Sequence, residues 1–348
     1  MRVNFFDAVL AYSHLQRRWW VGMVSLDGTP VEELAARVPK FIEQFASANL
    51  AARTSPEVPA RIATSNFSRD AYCAVVQRAL NYIGAGDVYQ LNLAQRFSIP
   101  WPCGDAASAQ LYLRLRAESP AAYGAFLGAE LVGNKLSVCS ISPELFLSAR
   151  GRNVTTRPIK GTRPRTRDHE ANAAAERELA QSPKECAELN MIVDVERHDL
   201  GRVCEFGSVR VESAGEIETL PTLYHRVATV TGRLRPRCGP ASLLRAAFPG
   251  GSITGAPKIR AMQLIRELEP DPRGIYCGAI GWLGLNGDLD LNIAIRTAVH
   301  DTVSGVVQYH AGSGIVADSD PEREYDETLH KARAFFKATN ATLGASST

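Results

Sequence analysis

The residue of this sequence best placed to do chemistry is Lys160, within the stretch 157–162 that reads Arg-Pro-Ile-Lys-Gly-Thr. Pro158 fixes its own φ and has no N–H donor, whereas Gly161 can adopt backbone conformations that other residues avoid. The pattern therefore predicts a close-approach turn that holds the lysine amine beside the Thr162 hydroxyl. A nucleophilic lysine must be neutral, but a free lysine has a pKa of about 10.4, so burial or a neighbouring cation is required. A single lysine in a turn is more often a surface residue than a nucleophile. The other motifs of the chain decide between these two interpretations.

Four carboxylates could hold a cation or move a proton. Glu144 stands between Pro143 and an apolar strand-like run, and Glu188 falls on an apolar helical face. A lone carboxylate in such surroundings must be paired, protonated or bound to a metal. Glu324 and Glu327 lie three residues apart on one face of the last predicted helix. They could ligate a hard divalent cation, although acidic residues in a first helical turn are also expected from the helix dipole alone.

Polar side chains also interrupt strand-like stretches. Gln90 and Asn92 share one face of a strand predicted over 88–94, because side chains two residues apart point the same way. They are either hydrogen-bonded structural residues or the lining of a pocket. His225 lies in a strand predicted over 223–230, where the default interpretation is a satisfied core or rim histidine.

Two glycine-rich stretches resemble anion-binding motifs. The loop 248–258 opens a helix, and the free amides and dipole of a helix N-terminus favour an anion. It is not a phosphate-binding P-loop, because Ala-Pro separates its last glycine from Lys258. Gly312-Ser313-Gly314 matches the dinucleotide fingerprint by letter, but the residues that follow do not supply the βαβ unit and distal acid which that site needs, so we reject it.

Hydrophobic periodicity predicts the elements that position these groups. Predicted helices cover 31–49, 68–84, 107–118, 169–198, 257–268 and 322–338. Predicted strands cover 19–24, 88–94, 123–127, 136–140, 145–147, 203–211, 223–230, 278–283, 288–299 and 308–316. A stretch rich in Pro, Ser and Thr, 51–66, predicts a linker. We expect an N-terminal region, 1–66, packed on the core of a larger domain at 67–340.

Composition narrows the class of protein. The 348 residues are 45% hydrophobic and 22% charged with a net charge of +2, which favours neither nucleic acid nor a membrane as partner. The seven cysteines are scattered and never spaced Cys-x-x-Cys, which argues against a disulfide framework and a zinc site. No apolar run reaches the roughly 18 residues of a membrane span, and no secretory signal is evident. We therefore expect a cytoplasmic protein.

Several stretches, in unbroken order over roughly 68–337, resemble the chorismate-utilising enzymes. They are 86–92, 142–144, 158–162, 188–194, 250–258, 295–297 and 311–327. One such motif would be weak, but seven in order are highly specific. The resemblance implies an α+β fold in which two large antiparallel sheets face each other with helices outside and the active site between them.

Within this family, Lys160 points to the aminodeoxychorismate-forming members. Anthranilate synthases usually carry alanine between the same isoleucine and glycine, and isochorismate and salicylate synthases carry a water-activating lysine where this chain has Gln90. The resemblance implies that the Lys160 amine attacks C2 of chorismate as the C4 hydroxyl leaves. Ammonia then enters at C4 and expels the lysine, giving 4-amino-4-deoxychorismate for 4-aminobenzoate and folate synthesis.

The resemblance also implies the rest of the site. Glu188 and Glu327, with Glu324 close by, would hold Mg²⁺, which would bind a substrate carboxylate. Glu144 would be the general acid/base at the leaving hydroxyl, and His225 would assist near the ring. The residues implied to hold the other carboxylate and line the pocket are Arg296, Tyr276, Gly312, Gly314, Thr162, Ser252, Thr254 and Gln90.

The implied partners follow from what the 348 residues do not include. No glutaminase or lyase domain is recognisable, so ammonia is expected from a glutamine amidotransferase subunit, as a heterodimer, and the lyase step from another protein. The N-terminal region looks short where many relatives form a tryptophan pocket, so tryptophan control does not follow. Two alternatives stay open: an anthranilate synthase component, and a non-catalytic chorismate-binding or regulatory protein.

Overall fold

The computed structural model describes residues 1–25, 27–46, 58–132, 135–220 and 223–344. Contacts divide the chain into two compact units, Met1–Glu57 and Val58–Thr348. The first unit contains an antiparallel strand pair and a helix. The predicted boundary at residue 66, and the packing of the N-terminal region on the core, remain predictions.

Each predicted helical stretch contains a helix, one of them contains two, and the short helices at 129–132 and 240–247 were not predicted. They are α1 (Val31–Ala46), α2 (Arg69–Gly84), α3 (Asp105–Glu118), α4 (Ala129–Val132), α5 (His169–Gln181), α6 (Pro183–Gly201), α7 (Pro240–Ala247), α8 (Lys258–Leu268) and α9 (Pro321–Thr339). No helix in the described ranges is long and apolar enough to cross a membrane.

The strands follow in chain order. They are β1 (Ala8–Ser13), β2 (Arg18–Met23), β3 (Arg61–Ser65), β4 (Gln90–Pro100), β5 (Tyr123–Leu127), β6 (Leu136–Ser142), β7 (Leu145–Arg150), β8 (Asn153–Arg157), β9 (Ile159–Pro164), β10 (Arg210–Thr219), β11 (Leu223–Arg233), β12 (Gly255–Ala256), β13 (Ala279–Leu283), β14 (Leu289–Ile293), β15 (Thr297–Asp301), β16 (Val306–Ile315) and β17 (Ala341–Leu343).

Within the described part of the second unit, these strands form two large sheets. A seven-stranded sheet has the order β10-β11-β8-β7-β14-β13, with β9 also paired to β11, and an eight-stranded sheet has the order β17-β3-β4-β16-β15-β6-β5, with β12 on β4. Every pairing is antiparallel except β17 with β3. The α+β fold with two antiparallel sheets is thereby confirmed.

Helices cover the outsides of the sheets and bury the apolar residues. Helix α6 packs on β9, β10 and β11, while α3 and α9 pack on β6 and β16. Apolar residues of α6, α7, β7 and β11 form one core cluster, and those of α3, α9, β4 and β15 form another. Polar groups lie between the sheets. One is the Lys160 amine of β9, which lies close to Gly314 of β16.

The helix predicted over 169–198 is wrong in one respect, because two helices occupy this stretch. Ser182 accepts a hydrogen bond from Glu185 N at 3.4 Å, and Pro183 takes the first position of α6. Proline has no N–H and clashes with a preceding helical turn, so it begins a helix instead of continuing one. The break lets α5 and α6 pack separately on β9.

Other predicted boundaries also needed correction. The strand predicted at 203–211 begins only at Arg210, and the linker at 51–66 includes strand β3, whereas its residues 51–57 lie outside the described residues. The strand predicted over 288–299 is interrupted at Arg296, whose φ of 48° is left-handed and cannot continue a strand. Lys160 lies on strand β9, not on a turn, although the glycine after it is indeed left-handed.

Gly161 is required by both its backbone and its neighbours. Its φ is 86°, and a Cβ there would lie 2.7 Å from Leu179 Cδ1 and 2.8 Å from Glu185 Oε2. We expect Gly161→Ala to lower the free energy of unfolding by about 2 kcal/mol in urea titrations, from left-handed strain and contact together. Gly151 is the control, because its φ is 57° but a Cβ would meet nothing within 4 Å. Equal losses for the two alanines would contradict the contact.

Candidate functional site

Lys160 is held between the two sheets by one strand of each. It extends from β9 so that its Nζ lies 3.5 Å from Glu188 Oε2, with only 15% of its side chain exposed. A Cβ on Gly314 of β16 would lie 3.1 Å from the same Nζ. Because Gly314 has no side chain, there is room for the Lys160 amine. The backbone of Lys160 is in turn fixed by Gly161, the left-handed glycine that directly follows it.

Lysines and carboxylates from two helices meet around this amine. On α6, Glu188 Oε1 also lies 4.0 Å from Nζ of Lys184, one turn earlier. On α9, Glu327 pairs with Lys331 at 2.7 Å, and Lys331 Nζ donates to the carbonyl of Gly312 at 2.9 Å. Neither lysine was predicted from the sequence. Their spacing of four residues from a predicted ligand on the same helix face was the available signal.

Glu324 is the most deeply buried of the predicted metal ligands. Ser319 Oγ donates to its Oε1 at 2.6 Å, whereas its Oε2 is buried without a hydrogen-bond partner. Burial raises the pKa of Glu324, and the nearby charge of Glu327 raises it further. Glu327 is more open, with 47% of its side chain exposed; partial desolvation acts to raise its pKa, but Lys331, Lys160 and Lys184 outweigh it and the pKa is lowered.

The carboxylates of Glu188, Glu324 and Glu327 are oxygen donors of the kind that a hard divalent cation prefers. An unpaired, buried carboxylate oxygen on Glu324 lacks a positive partner, and oxygen ligands suit Mg²⁺. In the described ranges no three His, Cys, Asp or Glu side chains are already gathered into a metal-binding group. Lysines neutralise Glu188 and Glu327 instead.

Glu144 follows strand β6 and is 4% exposed. Ser252 Oγ, from the glycine-rich loop, donates to Glu144 Oε1 at 2.6 Å. Burial raises the pKa of Glu144 to about 7, against the opposing effects of the Ser252 hydrogen bond and the charges of Lys160 and Arg296. The carboxyl is therefore poised to hold or release a proton near neutral pH. Two predicted site residues, Glu144 and Ser252, are in direct contact.

His225 lies on β11 beside β9. Its Nδ1 is 2.9 Å from Thr162 Oγ1, and its Nε2 is buried without a hydrogen-bond partner. Burial lowers the pKa of His225 to about 4, with a further contribution from the charge of Arg296. The ring is thus neutral at physiological pH, which leaves Nε2 able to interact with a ligand. The predicted residues His225 and Thr162 are brought together.

Arg296 is partly buried between β14 and β15. Its charge acts on both Glu144 and His225, and burial lowers its pKa although it stays cationic. Its backbone carbonyl accepts from Ile141 N at 3.0 Å, which ties the left-handed residue to β6. A fixed guanidinium here suits the binding of a carboxylate.

Gln90 and Asn92 lie side by side over the Gly312–Gly314 segment of β16. Gln90 Nε2 is 2.5 Å from where a Cβ of Gly314 would be, and Asn92 Oδ1 is 2.9 Å from where a Cβ of Gly312 would be. The two glycines therefore permit both amides to rest against the strand. Because Lys160 also adjoins Gly314, the predicted residues Gln90, Gly314 and Lys160 form one neighbourhood.

Thr254 and Tyr276 share a second region next to Asn92, whose N–H donates to the Thr254 carbonyl at 2.8 Å. Both line a cavity of about 610 Å³ next to α8, whose walls also include Arg273 and Glu269 but neither Lys160 nor Glu144. Thr254 Oγ1 donates to the Gly250 carbonyl at 2.9 Å, and the Tyr276 ring stacks on His310 with centroids 5.0 Å apart. Their assignment to the substrate pocket remains a prediction.

Glu196 is a buried carboxyl that the sequence analysis did not select. It is 6% exposed on α6 and accepts from Thr156 Oγ1 at 3.0 Å. Burial raises its pKa well above the usual range, and Glu144 adds to this effect. Nearby, Lys258 pairs with Asp199 of α6, which ties the glycine-rich loop to that helix. The amine of Lys258 is therefore occupied by this ion pair with Asp199 and stabilises the fold.

Comparisons with known proteins agree with this arrangement. A family model described as chorismate binding enzyme matches residues 1–337. A solved structure of anthranilate synthase component I from Streptococcus pneumoniae TIGR4 superposes with a TM-score of 0.82 and 32% identity, covering 94% of this chain and 72% of that one. The resemblance inferred from the motifs is thereby confirmed at the level of the family.

Two curated relatives carry different activities in their names. The chain is 45% identical over 294 residues to anthranilate synthase component 1 of Streptomyces coelicolor, covering 84% of this chain and 56% of that protein. It is 42% identical over 335 residues to aminodeoxychorismate synthase component 1 of Klebsiella aerogenes, covering 95% of this chain and 69% of that protein. Identity alone therefore does not choose between the two reactions.

Proposed function

The chain belongs to the family of chorismate-binding enzymes, and from this premise we propose that it aminates chorismate at C4 with Lys160 as nucleophile. The observation that carries the proposal is the placement of Lys160, whose mostly buried amine lies between Glu188 and the bare backbone of Gly314. A lysine serving only solubility would extend into solvent. This one projects into the space between the two sheets.

The proposed first step is an addition with loss of the C4 hydroxyl. The Lys160 nitrogen forms a bond to C2, the two conjugated ring double bonds shift, and the C4–O bond breaks. Glu144 gives its proton to the departing oxygen, so that water leaves. A carboxyl with a pKa of about 7 is protonated often enough to act as this acid near neutral pH.

The proposed second step reverses the first with a new nucleophile. Ammonia forms a bond to C4, the two ring double bonds shift back, and the C2–N bond to Lys160 breaks. The product is 4-amino-4-deoxychorismate, and Lys160 and Glu144 regain their starting states after proton exchange with solvent. Pyruvate is not released in this sequence.

Residues around the lysine would orient the substrate. Chorismate has two carboxylates, and Arg296 supplies a fixed cation for one of them. Glu188 and Glu327, with Glu324 beside them, would hold Mg²⁺ for the other. The ion would supply Lewis-acid stabilisation of the substrate carboxylate. The neutral ring of His225 would assist at the substrate ring through its unpaired Nε2.

We propose that ammonia comes from a glutamine amidotransferase subunit. The names of the relatives, component 1, support the existence of a second component. The partner would hydrolyse glutamine and pass ammonia to this chain, while the elimination of pyruvate from the product would belong to another enzyme.

The alternative is an anthranilate synthase, which the 45% identity to the Streptomyces protein favours. That reaction releases pyruvate and leaves an aromatic product. Lys160 argues against it, because the family resemblance gives alanine at this position in anthranilate synthases. The two reactions are distinguished by their products.

The deciding experiment mixes the purified protein with chorismate, Mg²⁺ and an ammonium salt at mildly alkaline pH. We expect a product with the mass of aminodeoxychorismate and no pyruvate. Anthranilate together with pyruvate would instead assign the alternative. Untouched chorismate, even after a glutaminase partner is added, would favour a non-catalytic binding protein.

A further inference from the structure

The two oxygens of the Glu324 carboxylate have different surroundings. Ser319 Oγ donates to Oε1 at 2.6 Å, whereas Oε2 is buried without a hydrogen-bond partner. The residue is only 4% exposed, so solvent has little access to either oxygen. A buried polar atom nearly always has a partner, because an unpaired one retains its cost of desolvation. Oε2 is therefore the oxygen that is left for a cation.

The hydroxyl of Ser319 is held in the orientation that makes this bond. Its Oγ accepts a hydrogen bond from the Val316 N–H at 3.1 Å, and its own N–H donates to the Val316 carbonyl at 2.9 Å. A serine hydroxyl has a single proton to donate, and here that proton is directed to Glu324. The next residue, Asp320, is the N-cap of α9. The turn therefore fixes Ser319 at the start of the helix that carries Glu324.

The other two proposed ligands are paired with lysines instead. Glu327 Oε1 lies 2.7 Å from Lys331 Nζ, and Glu188 Oε2 lies 3.5 Å from Lys160 Nζ. A bound cation repels these ammonium groups, so it can replace them as partners of the carboxylates. The Ser319 hydroxyl carries no charge, and it can keep its bond to Oε1 when a cation binds. Ser319 is thus the one of these three partners that stays in place.

One free oxygen on a carboxylate suits some divalent cations better than others. Mg²⁺ requires near-octahedral geometry at about 2.0–2.1 Å, keeps several waters and uses one or two protein carboxylates. Ca²⁺ takes roughly 6–8 oxygen ligands at about 2.3–2.6 Å in flexible geometry and often binds both oxygens of a carboxylate. With Oε1 engaged by Ser319, Glu324 can offer only the first kind of bond.

We propose that Ser319 is a positioning residue that makes Glu324 a one-oxygen ligand and thereby favours Mg²⁺ over Ca²⁺. This inference rests on the proposed function, which assigns Glu324 to the cation, and it adds the reason why one cation is preferred. Without the serine hydroxyl, Oε1 is released and both oxygens become available to a larger ion. The orientation of Oε2, on which the strict geometry of Mg²⁺ depends, is lost at the same time.

The test titrates the full chain with MgCl₂ and, separately, with CaCl₂ by calorimetry at pH 8, with and without chorismate and with no ammonia. We expect Ser319→Ala to weaken Mg²⁺ binding by about 10- to 100-fold, the usual effect of removing a group that orients a metal ligand. Ca²⁺ binding should weaken much less or strengthen. The ratio of the two Kd values should therefore shift towards Ca²⁺ by about tenfold or more.

Ser319→Thr is the matched control. Its hydroxyl can make the same bond to Glu324, so the variant should keep the cation preference of the parent. Urea titrations check that each variant is folded, because alanine also loses the hydrogen bond from Val316. If Ser319→Ala does not fold, Ser319→Cys takes its place, since a thiol is only a weak donor.

Two results would overturn the inference. If Ser319→Ala weakened both cations by the same factor, or neither of them, Ser319 would serve only the turn before α9. The parent protein tests the proposed function separately. If the parent bound neither cation, with or without chorismate, the assignment of a cation to Glu324 would fail, and the inference would fail with it.

Discussion

Lys160→Ala will lose the amino product, with kcat/KM for chorismate falling by about 10³-fold or more, because the proposed route has no nucleophile without it. The same substitution will abolish the mass increase of the protein on incubation with chorismate and Mg²⁺ in the absence of ammonia. Rates are measured by product mass, and the adduct by intact-protein mass. Loss of both together ties the lysine to the bond-forming step.

Lys160→Arg is the matched control for charge. It keeps a cation near Glu188, which lies 3.5 Å from the lysine nitrogen, but it supplies no neutral amine. We expect this variant to be as inactive as the alanine variant. If it instead retained substantial turnover, Lys160 would act as a fixed charge and direct attack by ammonia would replace the covalent route.

Glu144→Gln is expected to lower the activity of the protein and to raise its stability. Removing the proposed general acid should lower kcat by about 10²- to 10⁴-fold. The same change should raise the free energy of unfolding at pH 8 by roughly 1–3 kcal/mol, because the buried carboxyl must ionise there at a cost. Urea titrations of both proteins at several pH values measure the second effect.

The pH dependence of this difference in stability follows from the direction in which the pKa of Glu144 is shifted. The folded pKa of about 7 is raised above the ordinary value of 4.5, so the folded state binds more protons between these two values. The parent therefore loses stability as pH rises from about 4.5 to about 7, relative to Glu144→Gln. At pH 4, ionisation of Glu144 should make no difference between the free energies of unfolding of the two proteins. A stability gain that is the same at pH 4 and pH 8 would show that ionisation of Glu144 is not its source.

Local chemistry in the sequence was sufficient to predict most helices. Ser68 accepts from Ala71 N and Asp320 accepts from Arg323 N, as side-chain oxygens at helix N-caps do. The same signal was present at Ser182 and Pro183, but the apolar pattern continuing through 169–198 concealed it. Periodicity reports which face is buried and does not report where one helix stops and another begins.

The site itself required packing that no local pattern contains. The lysine was predicted from its flanking residues, but its approach to Gly314 depends on two sheets facing each other. Arg296 was expected to continue a strand, because its left-handed φ depends on the buried surroundings and not on the residue type. The unpaired state of Glu324 Oε2 could not be foreseen either, since a helix face is compatible with a bonded or an unbonded carboxylate.

The pairing of β4 with β16 has a consequence for synthesis of the protein. Residues 90–100 find their partner in residues 306–315, near the far end of the described chain. During translation, one edge of β4 therefore stays unpaired until residues 306–315 have left the ribosome. Nascent chains interrupted before residue 306 would contain Lys160, Glu144 and Glu188 and yet be unable to close the pocket, leaving them to chaperones and proteases.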